Sequence, residues 1–344
     1  MLSTADLGLT VADDGARQRV EHTIATTGAC GQPWLDNGLR PLLTRPGKRL
    51  RPGLVFAAAA CGPELDREAL INCSASVELM HLSSLVHDDL MDNSASRTGL
   101  PTLHVTSGPD AAILAGDHLL GVGGRLAATV SGKSSQAWQT CYTDLCAGQI
   151  RETANRYRTT TTMAEYLAAI NGKTAALMRT SCELGARCGG LDDAGIAALA
   201  RFGEMFGMVF QLVDDLMDIV STEQLWRKPI KQDLANGVYT ASVLATLRDP
   251  ESELHELLTE KMTPAAIDRA NERTALTGVD PAIELIEEHV LRAERALEAL
   301  PVSAEVTRLM AMPRRYAFHA VSSATAPEYQ FLVGSLQATS SVTA

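Results

Sequence analysis

Aromatic side chains are scarce in this chain: three Trp, six Tyr and six Phe, 4% of 344 residues. Strands draw on aromatic and β-branched residues, so the scarcity argues against a sheet, while abundant Ala and Leu favour helices. Clustered positive charge is also missing. The formal net charge is −11 and the pI about 5.2, and without Lys/Arg-rich runs no nucleic-acid partner is expected. The seven cysteines form no CxxC pair; their apolar surroundings read as reduced core residues of a cytoplasmic protein. No apolar run has the length of a transmembrane segment. The opening residues, MLSTADLGLTVADDGARQ, are acidic and lack an uncharged apolar core, so no secretory signal is expected.

What is present is a sizeable core and helical periodicity. Hydrophobic residues make up 46% and charged residues 21%, ordinary for a globular chain. Helical patterning runs from about residue 20 to about 330, broken by short loops at Thr44–Gly47, Ser131–Ser135 and Gly189–Asp193. The segments Leu70–Met91 and Asp193–Ile219 predict two long helices. No composition break marks a boundary, so the expected arrangement is a flexible lead-in at 1–20, one all-α helical bundle at 21–332, and a frayed tail at 333–344.

The pentapeptide DDLMD occurs twice, at Asp88–Asp92 and at Asp214–Asp218. On a helix, residues i and i+4 share a face one turn apart, so Asp88 with Asp92, and Asp214 with Asp218, can grip one cation. An isolated DDxxD string is most often a solvated face or a cap. Here Leu85, Val86, Leu90 and Met91 surround one set, and Phe210, Leu212, Val213, Leu216 and Met217 the other. Carboxylates in apolar surroundings need a counter-charge, which makes Asp88, Asp89, Asp92, Asp214, Asp215 and Asp218 candidate metal ligands. All-oxygen ligands favour Mg²⁺, which keeps waters and shares carboxylates with substrate phosphates. Zinc is disfavoured: His81 and His87 lack HExxH spacing, and no cysteine set accompanies them.

RPGKRLRP (45–52) sets four positive side chains at the start of an apolar helix, a natural anion site or a snorkelling surface patch. NGKTA (171–175) and SGKSS (131–135) look like nucleotide loops. Leu167 and Ala127 stand where a P-loop needs glycine, so neither binds a nucleotide triphosphate.

In order, GKRLRP (47–52), ELMHLSSLVHDDLMD (78–92), RTGLPTLH (97–104), ILAGDHLL (113–120), CAGQIRE (146–152), GKTAALM (172–178), FGMVFQLVDDLMD (206–218) and KPIKQDLANGVYT (228–240) resemble the trans-isoprenyl diphosphate synthases. The resemblance implies a single large orthogonal helical bundle of the isoprenoid synthase type, working as a homodimer. It implies two or three Mg²⁺ ions and an allylic diphosphate on the six aspartates. Arg97, Lys173, Gln211 and Lys228 would neutralise that diphosphate, with Thr174 beside Lys173. Lys48, Arg51 and His81 would hold isopentenyl diphosphate (IPP).

The family usually carries Arg-Arg-Gly after its first aspartate set, where this chain has Arg97-Thr98-Gly99. Glycine usually precedes the lysine after the second set, where Arg227 stands here. Gly-Lys-x-Thr is replaced by Gly237-Val238-Tyr239-Thr240. In the family, aromatic side chains four and five residues before the first aspartate stop chain growth. Ser84 and Ser83 occupy those places, with Met80 one turn deeper, so a product of C20 or longer is expected. Two other functions compete: a terpene cyclase that never uses IPP, and a regulatory subunit of a heteromeric synthase. Intact Lys48, Arg51 and His81 argue against the cyclase, and six retained aspartates against the subunit.

Overall fold

The computed structural model describes residues 14–45, 47–226 and 228–330. The chain opens with α1 (Asp14–Gly28), α2 (Pro33–Thr44), α3 (Leu50–Ala59) and α4 (Arg67–Met91). A short hairpin, β1 (Ser96–Arg97) and β2 (Leu100–Pro101), precedes α5 (Leu103–Ser107), α6 (Pro109–Val130), α7 (Gly132–Asn155) and α8 (Met163–Ile170). A π-helical turn (Asn171–Ala175) leads into α9 (Ala176–Cys188) and α10 (Asp193–Val220). Four short helices follow: α11 (Glu223–Trp226), α12 (Gln232–Ala235), α13 (Ala241–Thr246) and α14 (Leu254–Leu257). The described chain ends with α15 (Pro264–Thr277), α16 (Val279–Ala296), α17 (Ala304–Ala324) and a 3₁₀ turn (Pro327–Tyr329). The expected all-α class is observed.

Helix α1 begins at Asp14, so the last seven residues of the expected lead-in (14–20) are helical. The rest of the lead-in, the tail at 333–344, Pro46 and Arg227 lie outside the described residues. The described residues divide into two compact units: unit A, those of 14–142 and 177–200, and unit B, those of 143–176 and 201–330. The divisions fall inside helices rather than in linkers, so composition carries no trace of them.

In unit A, α4 is the central element. Asp66 caps it, its carboxylate accepting from the backbone N–H groups of Glu68 and Ala69, worth about 1 kcal/mol. Small residues let α4 and α6 approach closely. The Ser83 hydroxyl donates to the Gly116 carbonyl at 2.8 Å, and a Cβ on Gly116 would meet the His87 ring at 2.1 Å. Ser83 is therefore a helix-packing residue, whereas the half-buried Ser84 bonds only its own helix. Met80 is fully buried, with its sulfur 3.6 Å from Cys141 Sγ. Cys73, Cys141, Cys182 and Cys188 are buried as expected; Cys30, Cys61 and Cys146 are half-buried.

Contrary to the sequence reading, α4 and α10 are long and apolar enough to cross a membrane by length and composition. Charged residues interrupt each apolar run, Glu78, Asp88 and Asp89 in α4 and Arg201, Glu204, Asp214, Asp215 and Asp218 in α10, yet leave an 18-residue window with few charges. Those windows are 78% and 56% buried within the fold, which is how core helices behave.

In unit B, the π-helical turn is held by contacts of backbone against backbone. A Cβ on Gly148 of α7 would lie 2.2 Å from the Lys173 nitrogen, and one on Gly172 would lie 2.5 Å from the Asp144 carbonyl oxygen. On the other side, a Cβ on Gly207 of α10 would lie 2.5 Å from Ala175 Cα. No side chain fits at any of the three. Gly148→Val should therefore destabilise the protein by at least about 2 kcal/mol through overpacking, measured by urea unfolding. A loss below about 0.5 kcal/mol would show that α7 and the turn can part freely.

Candidate active site

In unit A the basic loop separates into two kinds of residue. Arg49 adopts a left-handed backbone (φ 49°) and turns inward. Its Nε and Nη2 donate to Glu21 of α1 at 2.8 and 2.7 Å, and its Nη1 donates to Glu78 of α4 at 2.7 Å. It is buried and engaged on every side, so it anchors the loop and leaves anion binding to others. Lys48 is exposed. The Arg51 Nε is buried with no protein acceptor, and burial lowers the Arg51 pKa. His81 is held neutral: burial, then the positive charges of Arg51, Arg97 and Arg49, push its pKa well below 6.5.

The first aspartate set closes α4. Asp88 is half-buried, Asp89 buried, and Asp92 exposed at the helix C-terminus. Arg97 on the hairpin donates through Nε to both Asp89 oxygens, at 2.9 and 3.0 Å, and its Nη2 lies 2.8 Å from Asp89 Oδ1. Next to it, Thr98 stands where the sequence pattern leads one to expect a second arginine. The Arg45 Nη1 donates to the Thr98 hydroxyl at 2.6 Å and to its carbonyl at 3.0 Å. A guanidinium from the loop before α3 thus reaches the position where the hairpin lacks one.

Unit B holds the second set. Lys228 pairs with Asp214 and lies 5.3 Å from the centre of the Trp226 ring. Asp215 is buried between two donors, the Tyr166 hydroxyl at 2.5 Å and Gln211 Nε2 at 2.7 Å. The Thr174 hydroxyl donates to Gln211 Oε1 at 2.7 Å. Asp218 accepts from the backbone N–H groups of Gln232 and Asp233, each at 3.2 Å. Lys173, presented by the π-helical turn, pairs with Glu152 of α7 at 2.7 Å. π-Bulges are frequent at functional sites because they re-aim side chains within a helix.

The titration behaviour follows from burial. Burial pushes the Asp215 carboxyl up to about 7 against the pull of its two donors, with Asp214 and Glu152 adding to the rise. Burial likewise pushes Asp218 up to about 6. Asp233 goes well above the usual carboxylate range, through burial and then the charges of Asp215, Asp218 and Asp214. Burial, then the charge of Asp215, holds the Tyr166 phenol protonated.

Among the described residues, no three His, Cys, Asp or Glu side chains form a ready-made metal cage. The pairs Asp88/Asp92 and Asp214/Asp218 nevertheless each sit one turn apart on one helix. Mg²⁺ suits such a donor set, since it is usually held by one or two carboxylates and completed by water and phosphate oxygens. Sequence reasoning assigned no role to Glu152, Tyr166 or Asp233, and read Arg45 and Arg49 alike as part of an anion site. Glu152 stood within a quoted motif. Tyr166 is an ordinary apolar position of a helix, and nothing in its spacing sets it apart.

Residues 32–274 match the family model described as polyprenyl synthetase. The geranylgeranyl diphosphate synthase of Mycobacterium tuberculosis is 33% identical over 308 residues, covering 86% of this chain and 87% of that protein. The nonaprenyl diphosphate synthase of the same organism is 31% identical over 289 residues, 82% of this chain and 86% of that one. Among solved structures, a Caulobacter crescentus polyprenyl synthase complexed with calcium and isoprenyl diphosphate superposes with a TM-score of 0.84 at 25% identity, over 92% of this chain and 97% of that one. With DDLMD on two core helices and a matched span covering most of the sequence, the chain belongs to the polyprenyl synthetase family, prenyltransferases of isoprenoid biosynthesis.

Proposed function

We propose that this protein is a trans-prenyltransferase that joins an allylic diphosphate to IPP, making a linear polyprenyl diphosphate of C20 or longer. One observation carries the reading: each aspartate-bearing helix has a cationic side chain of its own unit directly on an aspartate, Arg97 on Asp89 and Lys228 on Asp214. Such a cation can exchange its carboxylate for a phosphate when a metal ion takes up the freed carboxylate. Arg97 in unit A, and Lys173, Thr174, Gln211 and Lys228 in unit B, are the residues that bind and orient the allylic diphosphate. Asp88, Asp89 and Asp92 in unit A, and Asp214, Asp215 and Asp218 in unit B, would hold Mg²⁺, and its positive charge would make the diphosphate a better leaving group.

Lys48, Arg51 and the neutral His81 bind the diphosphate of IPP. Arg45, anchored on Thr98, provides the positive charge that the hairpin itself lacks. The allylic carbon–oxygen bond breaks, and its electron pair leaves with the diphosphate. The IPP double bond supplies the electrons of the new carbon–carbon bond, and a proton then passes to the departed diphosphate. Fixed charges around the separating ion pair are the main source of rate. The enzyme works in the cytoplasm as a homodimer.

Purified protein with Mg²⁺, IPP and C5, C10, C15 or C20 primers should give linear diphosphates of C20 or longer by mass spectrometry, and none without IPP. Hydrocarbon or alcohol from a primer alone would make it a terpene cyclase, and turnover only beside a second protein a subunit. Chain length is tested at Ser84, which is half-buried and does not hold α4 to α6. Ser84→Phe should shorten the main product by at least one C5 unit, and an unchanged product would remove Ser84 from chain-length control.

The aspartates give a pH prediction. Asp215 has its pKa raised from 3.8 to about 7, so the folded protein binds more protons than the unfolded chain across that window. This group's contribution to stability therefore falls as pH rises through it. In metal-free buffer with chelator, the melting temperature of Asp215→Asn minus that of the wild type should be more positive at pH 8 than at pH 5. A difference independent of pH would show that Asp215 ionises normally.

A further inference from the structure

Asp215 is the hub of a hydrogen-bond relay within unit B. Tyr166 of α8 donates to its Oδ2 at 2.5 Å, and Gln211 of α10 donates to its Oδ1 at 2.7 Å. On the far side of Gln211, the hydroxyl of Thr174 in the π-helical turn donates to Oε1 at 2.7 Å. Tyr166 is 5% exposed, and its phenol points into this relay.

The polarity of the relay is set by the carboxylate. In the observed arrangement both groups facing Asp215 donate, each to its own oxygen, and a carboxylate without its proton can only accept. A glutamine amide has two nearly isosteric orientations, and its neighbours decide between them. With Asp215 accepting on one side, Gln211 must turn its NH₂ toward the carboxylate and its carbonyl toward Thr174. Tyr166 holds the second carboxylate oxygen, and so keeps the first one aimed at the amide.

We propose that Tyr166 is a positioning residue: through Asp215 it fixes which end of the Gln211 amide faces Thr174, leaving the second amide N–H of Gln211 for the diphosphate. The proposal rests on the function proposed above. Tyr166 itself touches no substrate, and its effect passes wholly through Gln211. Misplacement of an orienting group by a fraction of an ångström is enough to cost binding and rate.

The experiment is a double-mutant cycle on the full chain with Tyr166→Phe and Gln211→Met. It is read as the dissociation constant of inorganic diphosphate in the presence of Mg²⁺, by calorimetry, and as turnover of an allylic primer with IPP. Tyr166→Phe keeps the ring and its packing, and should weaken diphosphate binding about tenfold, the loss of one oriented bond to a charged ligand. The double variant should bind no more weakly than Gln211→Met alone, because the two residues act in series. In an Asp215→Asn background, where the hub can both donate and accept, Tyr166→Phe should have no further effect.

Losses that multiply in the double variant would overturn the proposal and make Tyr166 an independent packing residue; so would wild-type affinity in Tyr166→Phe. A wild type that binds magnesium diphosphate but forms no prenyl product would reject the synthase reading, while the cycle in binding affinity still decides the role of Tyr166. A wild type that binds no diphosphate would reject both.

Discussion

A carboxylate buried in an apolar helix costs free energy unless donors or positive charge meet it, and both aspartate sets are organised around that cost. Asp89 is met by three contacts from Arg97, Asp214 by Lys228, Asp215 by a phenol and an amide, and Asp218 by two backbone N–H groups. The compensation is incomplete at Asp215 and Asp218, whose pKa values stay raised. Groups that hold a charge at a cost in the free protein gain most when a cation or a charged ligand arrives. The surroundings that make these residues expensive to bury are thus what would favour a cation beside them.

The long helices were legible in the sequence because their signal is local. Leu70–Met91 and Asp193–Ile219 were read from periodicity, and the observed helices are Arg67–Met91 and Asp193–Val220. The four-residue spacing of the aspartates carried over directly to one helix face. What escaped was set by partners distant in sequence. The NGKTA segment was refused as a nucleotide loop, but nothing in it reveals a π-helical turn. Its shape depends on Gly148 and Gly207, and neither glycine announces what it will touch. Tyr166 is one apolar residue among many until α10 brings Asp215 to it.

The basic loop shows the same limit in sharper form. Four cationic side chains in eight residues look alike by composition, yet they do different work. Arg49 is bound by Glu21 and Glu78, Arg45 by the hairpin at Thr98, Lys48 is exposed, and Arg51 keeps a buried nitrogen without a protein acceptor. Thr98, read in isolation, is a departure from the family pattern. Set against Arg45 it is a hydroxyl that receives a guanidinium from the loop before α3, a contact that a position-by-position comparison cannot register.

The Arg49 anchor also bears on the order of assembly. Its two acids stand 28 residues before it and 29 residues after it, on α1 and α4. A guanidinium cannot give up water for a buried position until both acids are in place, and the left-handed turn at Arg49 is costly without them. Closing those two loops is entropically expensive and comes with helix docking. The observed conformation of the basic loop is therefore tied to the docking of both α1 and α4. A chain in which α1 or α4 is undocked lacks the contacts that give this loop its shape.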